Sequence, residues 1–227
     1  MYQTILQRAL FGLLSTLVLP DLSAATVSLA GSLNPNDPND VLLIGITLST
    51  NADLTVQSYG YGGTSAAPGG VNAAGDIIPA GGFDPYLSVF TGLGPGATFL
   101  LSNDDGSCPS GAHAPACRDP GITIASLAPG SYTLALSVFD NFSFAENLGT
   151  GDLGDGFIGL GDYYNLDSAS ERTPNYALDV RADGLTVDMV STLDSTLPEP
   201  ATFFTAGPAL LVLLVNRSRI HRLRRSS

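Results

Sequence analysis

Several short segments of the chain share one feature that limits its possible folds: apolar residues recur at every second position. In residues 131–139 the alternating apolar side chains are Tyr132, Leu134, Leu136 and Val138. Successive side chains of a β-strand point to opposite faces of the sheet, so this period predicts a strand with one face in the core. Residues 175–180 and 185–190 show the same alternation. The Ala-Asp-Gly turn at 182–184 between them predicts a β-hairpin.

Four further segments have the composition of strands: residues 41–48, 86–90, 98–102 and 121–127. The first of them is a nearly continuous apolar run, which is typical of a central strand. Turns rich in Gly, Pro and Asn separate the segments, and the chain between its termini shows no clear helical period. We therefore predict an all-β fold, an antiparallel β-sandwich or jelly roll of about eight or nine strands. Residues 60–82 and 141–172 are predicted to be long loops.

The N-terminus has the layout of a secretory signal peptide over residues 1–25. Arg8 precedes an apolar run of 11 residues, and the small residues Ala24 and Ala25 offer positions for cleavage. A run of this length is too short for a lasting membrane span. We expect signal peptidase to remove this signal helix, and an uncleaved anchor is the alternative. The extracellular β-domain then comprises residues 26–192.

The C-terminus combines an uncharged apolar run with a basic end. After a linker at 193–200, residues 201–216 are predicted to form a transmembrane helix that holds the chain in the membrane transiently. An arginine cluster beside an apolar span stays on the cytoplasmic side, so residues 217–227 are predicted to be a cytoplasmic tail. The alternative is a buried core helix, although such a helix should have a polar face. The arginines of the tail are Arg217, Arg219, Arg222, Arg224 and Arg225.

Pro198, Glu199 and Pro200 stand directly before that apolar span. The ordered set of this motif, an apolar span and an arginine-rich end resembles a PEP-CTERM sorting signal. The resemblance implies that an exosortase, a membrane cysteine protease-transferase, processes the chain at Pro198 to Pro200. Members of this family are exported by bacteria that also make exopolysaccharide, and many are thought to reach the cell surface or the extracellular matrix.

The region between the two terminal segments is strongly acidic. Residues 26–197 contain three arginines, no lysine and 19 acidic residues, which gives a net charge of −16. Such a surface repels nucleic acid, so nucleic-acid binding is excluded. Abundant Asp and Asn fit a secreted protein that binds a hard cation such as Ca²⁺ through oxygen ligands. The acidity fits equally well a surface that keeps an exported protein soluble.

The two cysteines of the chain, Cys108 and Cys117, lie in a turn-rich stretch with eight residues between them. In an exported chain such a pair predicts a disulfide that pins a loop. A metal site at this place would need more Cys or His ligands, and His113 alone is near.

Four stretches of the acidic region resemble a bacterial pre-peptidase C-terminal domain: residues 81–90, 100–106, 119–141 and 174–180. The most specific of the matching pieces is residues 127–134, with the sequence LAPGSYTL. The chain is also similar to a group of PEP-CTERM proteins that carry this module as their one domain. The resemblance implies a jelly-roll β-sandwich used for adhesion or substrate targeting, in some members with bound Ca²⁺.

Acidic and amide side chains flank several of the predicted strands. If strands 86–90, 98–102 and 131–139 are neighbours, these oxygens converge at one edge, where carboxylates without a cation would repel one another. Asp and Asn are also ordinary turn residues, so turn formation is the alternative. Residues 149–164 resemble a degenerate Gly-Asp calcium repeat and form a weaker second candidate. The candidate Ca²⁺ ligands are Asp84, Asn103, Asp104, Asp105, Asp119 and Asp140.

The residues that catalysis commonly needs are scarce. His113 is the single histidine between the terminal segments, and no Gly-x-Ser-x-Gly or His-Glu-x-x-His motif occurs. We therefore expect no enzymatic activity and predict an exported surface or matrix protein associated with exopolysaccharide or a biofilm. One alternative is a Ca²⁺-dependent carbohydrate- or protein-binding adhesion module, and a less favoured one is a secreted hydrolase with an Asp pair. Candidate ligand contacts of the adhesion module are Tyr59, Tyr61, Tyr163 and Tyr164, and packing within loops is the alternative role for them.

Overall fold

The computed structural model describes residues 24–62, 68–112, 118–163 and 172–193. These residues form antiparallel β-sheets with very little helix, which confirms the predicted all-β class. The predicted signal segment up to residue 23, the Pro-Glu-Pro linker, the apolar span and the arginine tail lie outside the described residues. Within the described ranges, no helix has both the length and the apolar character to cross a membrane.

The described residues contain nine strands of six residues or more and two strands of two residues. One short α-helix and one 3₁₀ turn complete the structure. The elements are β1 (Ala25–Ser32), β2 (Val41–Leu48), β3 (Ala52–Tyr59), β4 (Gly70–Val71), β5 (Ile77–Ile78), β6 (Pro85–Thr91), β7 (Thr98–Asn103), β8 (Gly121–Leu127), β9 (Gly130–Val138), α1 (Phe144–Leu148), the 3₁₀ turn (Leu153–Asp155), β10 (Asn175–Ala182) and β11 (Leu185–Leu193).

The long strands form two sheets. A four-stranded sheet has the order β1-β10-β3-β8, and a five-stranded sheet has the order β11-β2-β9-β6-β7. Every neighbouring pair in both sheets is antiparallel. The apolar run of β2 lies between β11 and β9, as predicted for a central strand.

The main core lies between the two sheets. Val56 and Leu178 of the four-stranded sheet and Ile44 and Val89 of the five-stranded sheet belong to one buried cluster, and each is 0% exposed. The predicted inward face of β9 is confirmed in this cluster, because it contains Tyr132, Leu134, Leu136 and Val138.

A second apolar cluster covers the outer face of the five-stranded sheet. Ala145 of α1 and Leu153 of the 3₁₀ turn pack there with Phe90 and Ala135. The predicted loop at 141–172 thus contains α1 and the 3₁₀ turn and packs against the sheet within its described residues 141–163. Leu153 is 4% exposed, and its backbone N–H donates to Ala97 O at 2.8 Å, which ties this cover to the sheet.

The predicted hairpin between β10 and β11 is wrong, because the two strands belong to different sheets. Both edges of β10 are occupied by β1 and β3, so β11 has no free edge of β10 to pair with. The turn at Asp183 and Gly184 instead carries the chain from one sheet to the other. Gly184 has a positive φ of 63°, and its carbonyl accepts a hydrogen bond from Ser49 N at 3.1 Å.

The predicted loop at 60–82 also contains regular structure. β4 and β5 form a small antiparallel hairpin there, with Gly70 opposite Ile78. The strands β1 and β3 are two further elements that the sequence patterns above do not indicate.

Candidate functional site

Five strand ends meet at one end of the five-stranded sheet. β6 lies between β7 and β9 and runs antiparallel to both, so its first residues lie beside the last residues of the other two. The three strands are therefore neighbours, which is the condition under which the sequence analysis expects the candidate oxygens to converge. We call this end of the sheet the acidic end, and it is marked by Val41, Pro85, Asn103, Val138 and Leu193.

Three carboxylates converge at the acidic end. Asp84 directly precedes β6, and Asp104 and Asp105 directly follow β7. One oxygen from each of the three lies within 4.8 Å of the others. The backbone of Asp84 is fixed by a hydrogen bond in which Phe139 N donates to its carbonyl at 2.8 Å. We call Asp84, Asp104 and Asp105 the acidic triad.

Asp84 is the buried member of the triad. It is 3% exposed, and within the described part of the chain neither carboxylate oxygen accepts a hydrogen bond. Asn103 Oδ1 and Asp104 Oδ1 are likewise buried oxygens without a hydrogen-bond partner there. A buried polar atom is normally paired, so this concentration of unpaired oxygens marks the site.

Arg118 is the cation nearest to the triad. Its Nη1 lies 3.8 Å from Asp84 Oδ2 and 3.6 Å from Asp105 Oδ2. Both distances allow a Coulombic attraction but exceed the length of a good hydrogen bond. The Arg118 side chain is 34% exposed, so solvent screens part of this attraction.

Arg118 offsets only part of the negative charge of the triad, and the pKa values of Asp84 and Asp104 reflect this. Burial, and then the charge of Asp104, raise the pKa of Asp84 to about 7, and Arg118 opposes the rise. Burial, and then the charge of Asp105, raise the pKa of Asp104 to about 6, and Asp140 adds to the effect. The folded protein therefore resists full ionisation of the triad near neutral pH.

Two of the predicted ligands lie apart from the triad. Asp119 is 0% exposed and accepts hydrogen bonds from Ser58 Oγ at 3.2 Å and from Tyr61 N at 3.4 Å. Burial is the main reason that the pKa of Asp119 is raised to about 6. Asp140 ends the turn after β9 with a positive φ of 68°, and its charge reaches Asp104. The structure thus brings together three of the six predicted ligands, with Asn103 directly beside them in the chain.

Arg118 and Arg172 are the functional candidates that the sequence patterns missed. The Arg172 Cζ atom lies 3.8 Å from the centroid of the Tyr61 ring, and Arg118 Cζ lies 5.9 Å from it. Arg172 also donates to the carbonyls of Tyr61 and Gly82 at 2.7 and 2.9 Å. The sequence signal that could have identified the two arginines is their rarity. Residues 26–197 contain only three arginines beside 19 acidic residues.

The described tyrosines among the candidate ligand contacts pack into the protein, in agreement with the alternative role in packing. Tyr61 is 7% exposed and Tyr163 is 6% exposed. The Tyr163 hydroxyl donates to the carbonyl of Asn34 at 2.7 Å. Tyr59 is half-buried and bonded to Asp179, and Tyr164 lies outside the described residues.

The glycine-rich segment offered as a second calcium site forms a capped 3₁₀ turn. Asp152 N donates to the carboxylate of Asp155 at 2.9 Å, so that Asp155 satisfies the start of the turn. This arrangement uses Asp155 as a backbone cap, as turn-forming Asp residues commonly act.

The predicted disulfide is only partly visible. Cys108 is exposed, and the described residues contain no free cysteine. Cys117 and His113 lie outside the described residues, so the pairing of Cys108 with Cys117 stays a prediction.

No protein-family model matches this sequence, and no curated protein matches it.

Proposed function

We propose that this chain is an exported, non-catalytic protein of the cell surface or extracellular matrix, associated with exopolysaccharide or a biofilm. The observation that carries the proposal is the ordered C-terminal set of Pro198-Glu199-Pro200, an uncharged span at 201–216 and an arginine-rich end. The apolar N-terminal run and the net charge of −16 between the terminal segments support export and solubility outside the cell.

Two processing enzymes act on the chain in this proposal. Signal peptidase cuts after Ala24 or Ala25, and exosortase acts at Pro198 to Pro200 while the C-terminal span holds the chain in the membrane. Strand β1 begins at Ala25, which pairs with Ala182. A cut after Ala24 therefore leaves every residue of β1 available for its pairing with β10.

We further propose that the exported domain is a jelly roll. The support is the nested pairing of its strands: β1 pairs with β10, β2 with β9, β3 with β8, and β6 with β7. This nesting is what a folded-over antiparallel ribbon gives when its two ends are wound into facing sheets. Strand β11 extends one sheet beside β2.

The test is the intact mass of the mature protein recovered from its native host. We expect a chain that begins at Ala25 or Thr26 and ends between Pro198 and Pro200, with or without the added mass of a carrier. In a Glu199→Ala variant we expect the C-terminal segment to be retained, whereas Asp194→Ala, a nearby acidic control, should be processed normally. A mature mass that still includes Arg225 in the unaltered chain would overturn the sorting proposal.

A second candidate function is a Ca²⁺-dependent carbohydrate- or protein-binding adhesion module. The observation that favours it is the buried Asp84 carboxylate with no hydrogen bond among the described residues. The mature protein would be measured for retention on the exopolysaccharide of its host in Ca²⁺ and in EDTA. Retention that is equal in both conditions, or absent in both, would argue against this candidate and leave the first untouched.

A further inference from the structure

We propose that β1 is a strand-pairing surface through which two copies of the mature protein join edge to edge in an antiparallel dimer. The two large sheets of the domain have four edge strands, β1 and β8 in one sheet and β11 and β7 in the other. Strand β1 differs from the other three in a way that favours pairing. The inference goes beyond the proposed function, and it depends on that function only in taking the mature chain to begin at Ala25 or Thr26.

The other three edge strands each carry an irregularity that interrupts the regular ladder. The extra residue is Asp188 in β11 and Leu100 in β7. In β8 the shift in register includes Ser126, which has a positive φ of 52° and donates its backbone N–H to Asp53 at 2.8 Å. A β-bulge turns an edge away from an incoming strand, and a charge on the edge opposes pairing as well. These three edges are therefore protected against the addition of a strand.

Strand β1 has none of these protective features. All eight of its residues, from Ala25 to Ser32, pair with β10 in unbroken register. Its sequence, ATVSLAGS, contains no charged residue and no proline. Among the described residues, no strand pairs with its other edge. A long, regular and uncharged edge presents a row of N–H and C=O groups that a further strand can pair with.

The core is also incompletely covered along this side of the sandwich. The inward-facing Val27 and Leu29 of β1 pack against the core but are only partly buried. Strand β1 lies against the edge strand β11 of the facing sheet. Val190 of β11 is 49% exposed, although it lies directly opposite the core residue Ile44 and so faces the same side of its sheet. A strand added beside β1 would bury more of this apolar surface.

A second copy of β1 is the occupant that these features fit best. The region between the terminal segments has a net charge of −16, so two copies repel one another over most of their surface, and an uncharged edge opposes their approach least. The strand is also complementary to itself. If Ser28 lies opposite Ser28 of the second copy, Val27 meets Leu29 on the core side and Thr26 meets Ala30 on the outer side. Each residue then faces one from the same side of the sheet, as antiparallel pairing requires.

The assembly should stop at the dimer. Because both copies use the same strand, the contact is isologous and closes on itself. The far edge of the joined sheet is β8, which is protected by its irregular register. A pairing of eight-residue strands is about 27 Å long and belongs to the small interfaces, below about 1,200 Å². We therefore expect a weak dimer, with a Kd of about 10–100 μM.

The experiment is sedimentation equilibrium of the purified mature protein at concentrations from about 2 μM to about 500 μM. Two double variants test the pairing. In Thr26→Glu/Ala30→Glu, like charges face each other across both outer pairs, so we expect the Kd to rise at least about fivefold. In Thr26→Glu/Ala30→Lys, opposite charges face each other instead, so we expect the Kd to stay within about threefold of the unaltered value or to fall. Both residues are exposed in the single domain, and circular dichroism would establish that each variant is folded.

The matched control is Thr123→Glu/Ala125→Glu on β8, the other edge of the same sheet. Both residues are exposed, and the pair adds the same two negative charges to the domain. We expect this variant to change the Kd less than about twofold, because charges far from a contact are screened by salt. The N-terminus of the mature chain, found from its mass, tests the export proposal separately, so the two proposals can fail independently.

Four results would overturn the proposal. A protein that stays monomeric up to about 500 μM would show that β1 does not pair with a second copy at that concentration scale. Equal weakening by the β1 and β8 glutamate pairs would show that net charge, and not pairing at β1, sets the affinity. A folded Thr26→Glu/Ala30→Lys variant that does not dimerise would exclude the antiparallel pairing. Growth beyond the dimer would show that a second surface takes part.

Discussion

The Tyr59 hydroxyl donates a hydrogen bond of 2.7 Å to the carboxylate of Asp179, across the paired strands β3 and β10. The same carboxylate accepts hydrogen bonds from Ser28 Oγ at 2.6 Å and from Ala73 N at 2.7 Å. Burial, and then the hydrogen bond with Asp179, raise the pKa of Tyr59 above its ordinary value of 10. One side chain on the outer face of the four-stranded sheet thus joins β1, β3 and the turn between β4 and β5 to β10.

Replacement of Asp179 should therefore cost more than that of an ordinary acidic residue. Asp179 is 7% exposed, and Asp179→Ala would leave three donors without their acceptor. We expect a loss of about 2–4 kcal/mol in the free energy of unfolding, measured by urea denaturation. The control is Asp188→Ala, an exposed residue that accepts one hydrogen bond from Thr47, and its loss should stay below about 1 kcal/mol. Equal losses in the two variants would contradict the role given to Asp179.

The side chain of Leu153 should stabilise the packing of residues 141–163 against the five-stranded sheet. Leu153→Ala removes a buried side chain from the second apolar cluster, so we expect a loss of about 2–4 kcal/mol and faster proteolysis within residues 141–163. Leu160 is 68% exposed in the same segment, and Leu160→Ala should change stability by less than about 0.5 kcal/mol. Urea unfolding and limited proteolysis measure the two effects, and unchanged proteolysis in Leu153→Ala would contradict the prediction.

The raised pKa values predict how the metal-free protein responds to pH. Asp84 at about 7, and Asp104 and Asp119 at about 6, bind protons more tightly in the folded state than at the ordinary value of 3.8. Between pH about 4 and pH about 7 the folded state binds more protons than the unfolded state. The free energy of unfolding therefore falls as the pH rises through this range. The charged groups that act on Asp84 and Asp104 are Asp105, Arg118, Asp140 and Arg172.

In EDTA we therefore expect a Tm at least about 3 °C higher at pH 5 than at pH 8, measured by thermal unfolding. Asp84→Asn should reduce this difference, because the neutral amide removes the group with the largest shift in pKa. The exposed control Asp188→Asn should leave the difference unchanged. A Tm that rises between pH 5 and pH 8 in the metal-free protein would contradict the prediction.

The predicted disulfide can be tested through its effect on the unfolded chain. A bond that closes the loop between Cys108 and Cys117 should stabilise the protein by about 2–3 kcal/mol, since it restricts the unfolded state. We expect that amount to be lost in the double variant Cys108→Ser/Cys117→Ser, and we expect no alkylation of the unreduced protein under denaturing conditions. Incorporation of two alkyl groups without a reductant would show that the cysteines are free.

Local patterns predict the individual strands of this protein better than they predict its pairing. The alternation in β9 and the apolar run of β2 identify both strands. The alternating residues of β9 are buried against the opposite sheet, whereas β2 is buried on both faces, one against that sheet and one in the second apolar cluster. The same alternation in β10 and β11 is compatible with a hairpin or with a crossing between sheets, since both leave one face in the core. The hairpin is excluded by β1 and β3, because these two strands occupy both edges of β10. Strand β3 escapes notice because Ser58, a polar residue, occupies a buried position on its otherwise apolar face.

The candidate site is likewise predicted in part: the sequence indicates its residue types but not which of them come together. The presence of Asp and Asn at strand ends is readable from the sequence, but which of them meet depends on the order β9-β6-β7. That order brings Asp84 to Asp104 and Asp105, whereas Asp119 is held by Ser58 and Tyr61. The position of Arg118 beside two carboxylates depends on contacts between residues distant in sequence, which no local pattern specifies.

The acidic end also gives the domain a direction. The chain leaves the five-stranded sheet at Leu193, which pairs with Val41 at the same end as the triad, whereas Ala25 pairs with Ala182 at the opposite end. Any tether made through the residues after Leu193 would attach at the triad's end of the domain, and the Ala25 end lies about 30 Å away along the strands. The three carboxylates of the triad would then lie closer to the tether than the first residue of β1 does.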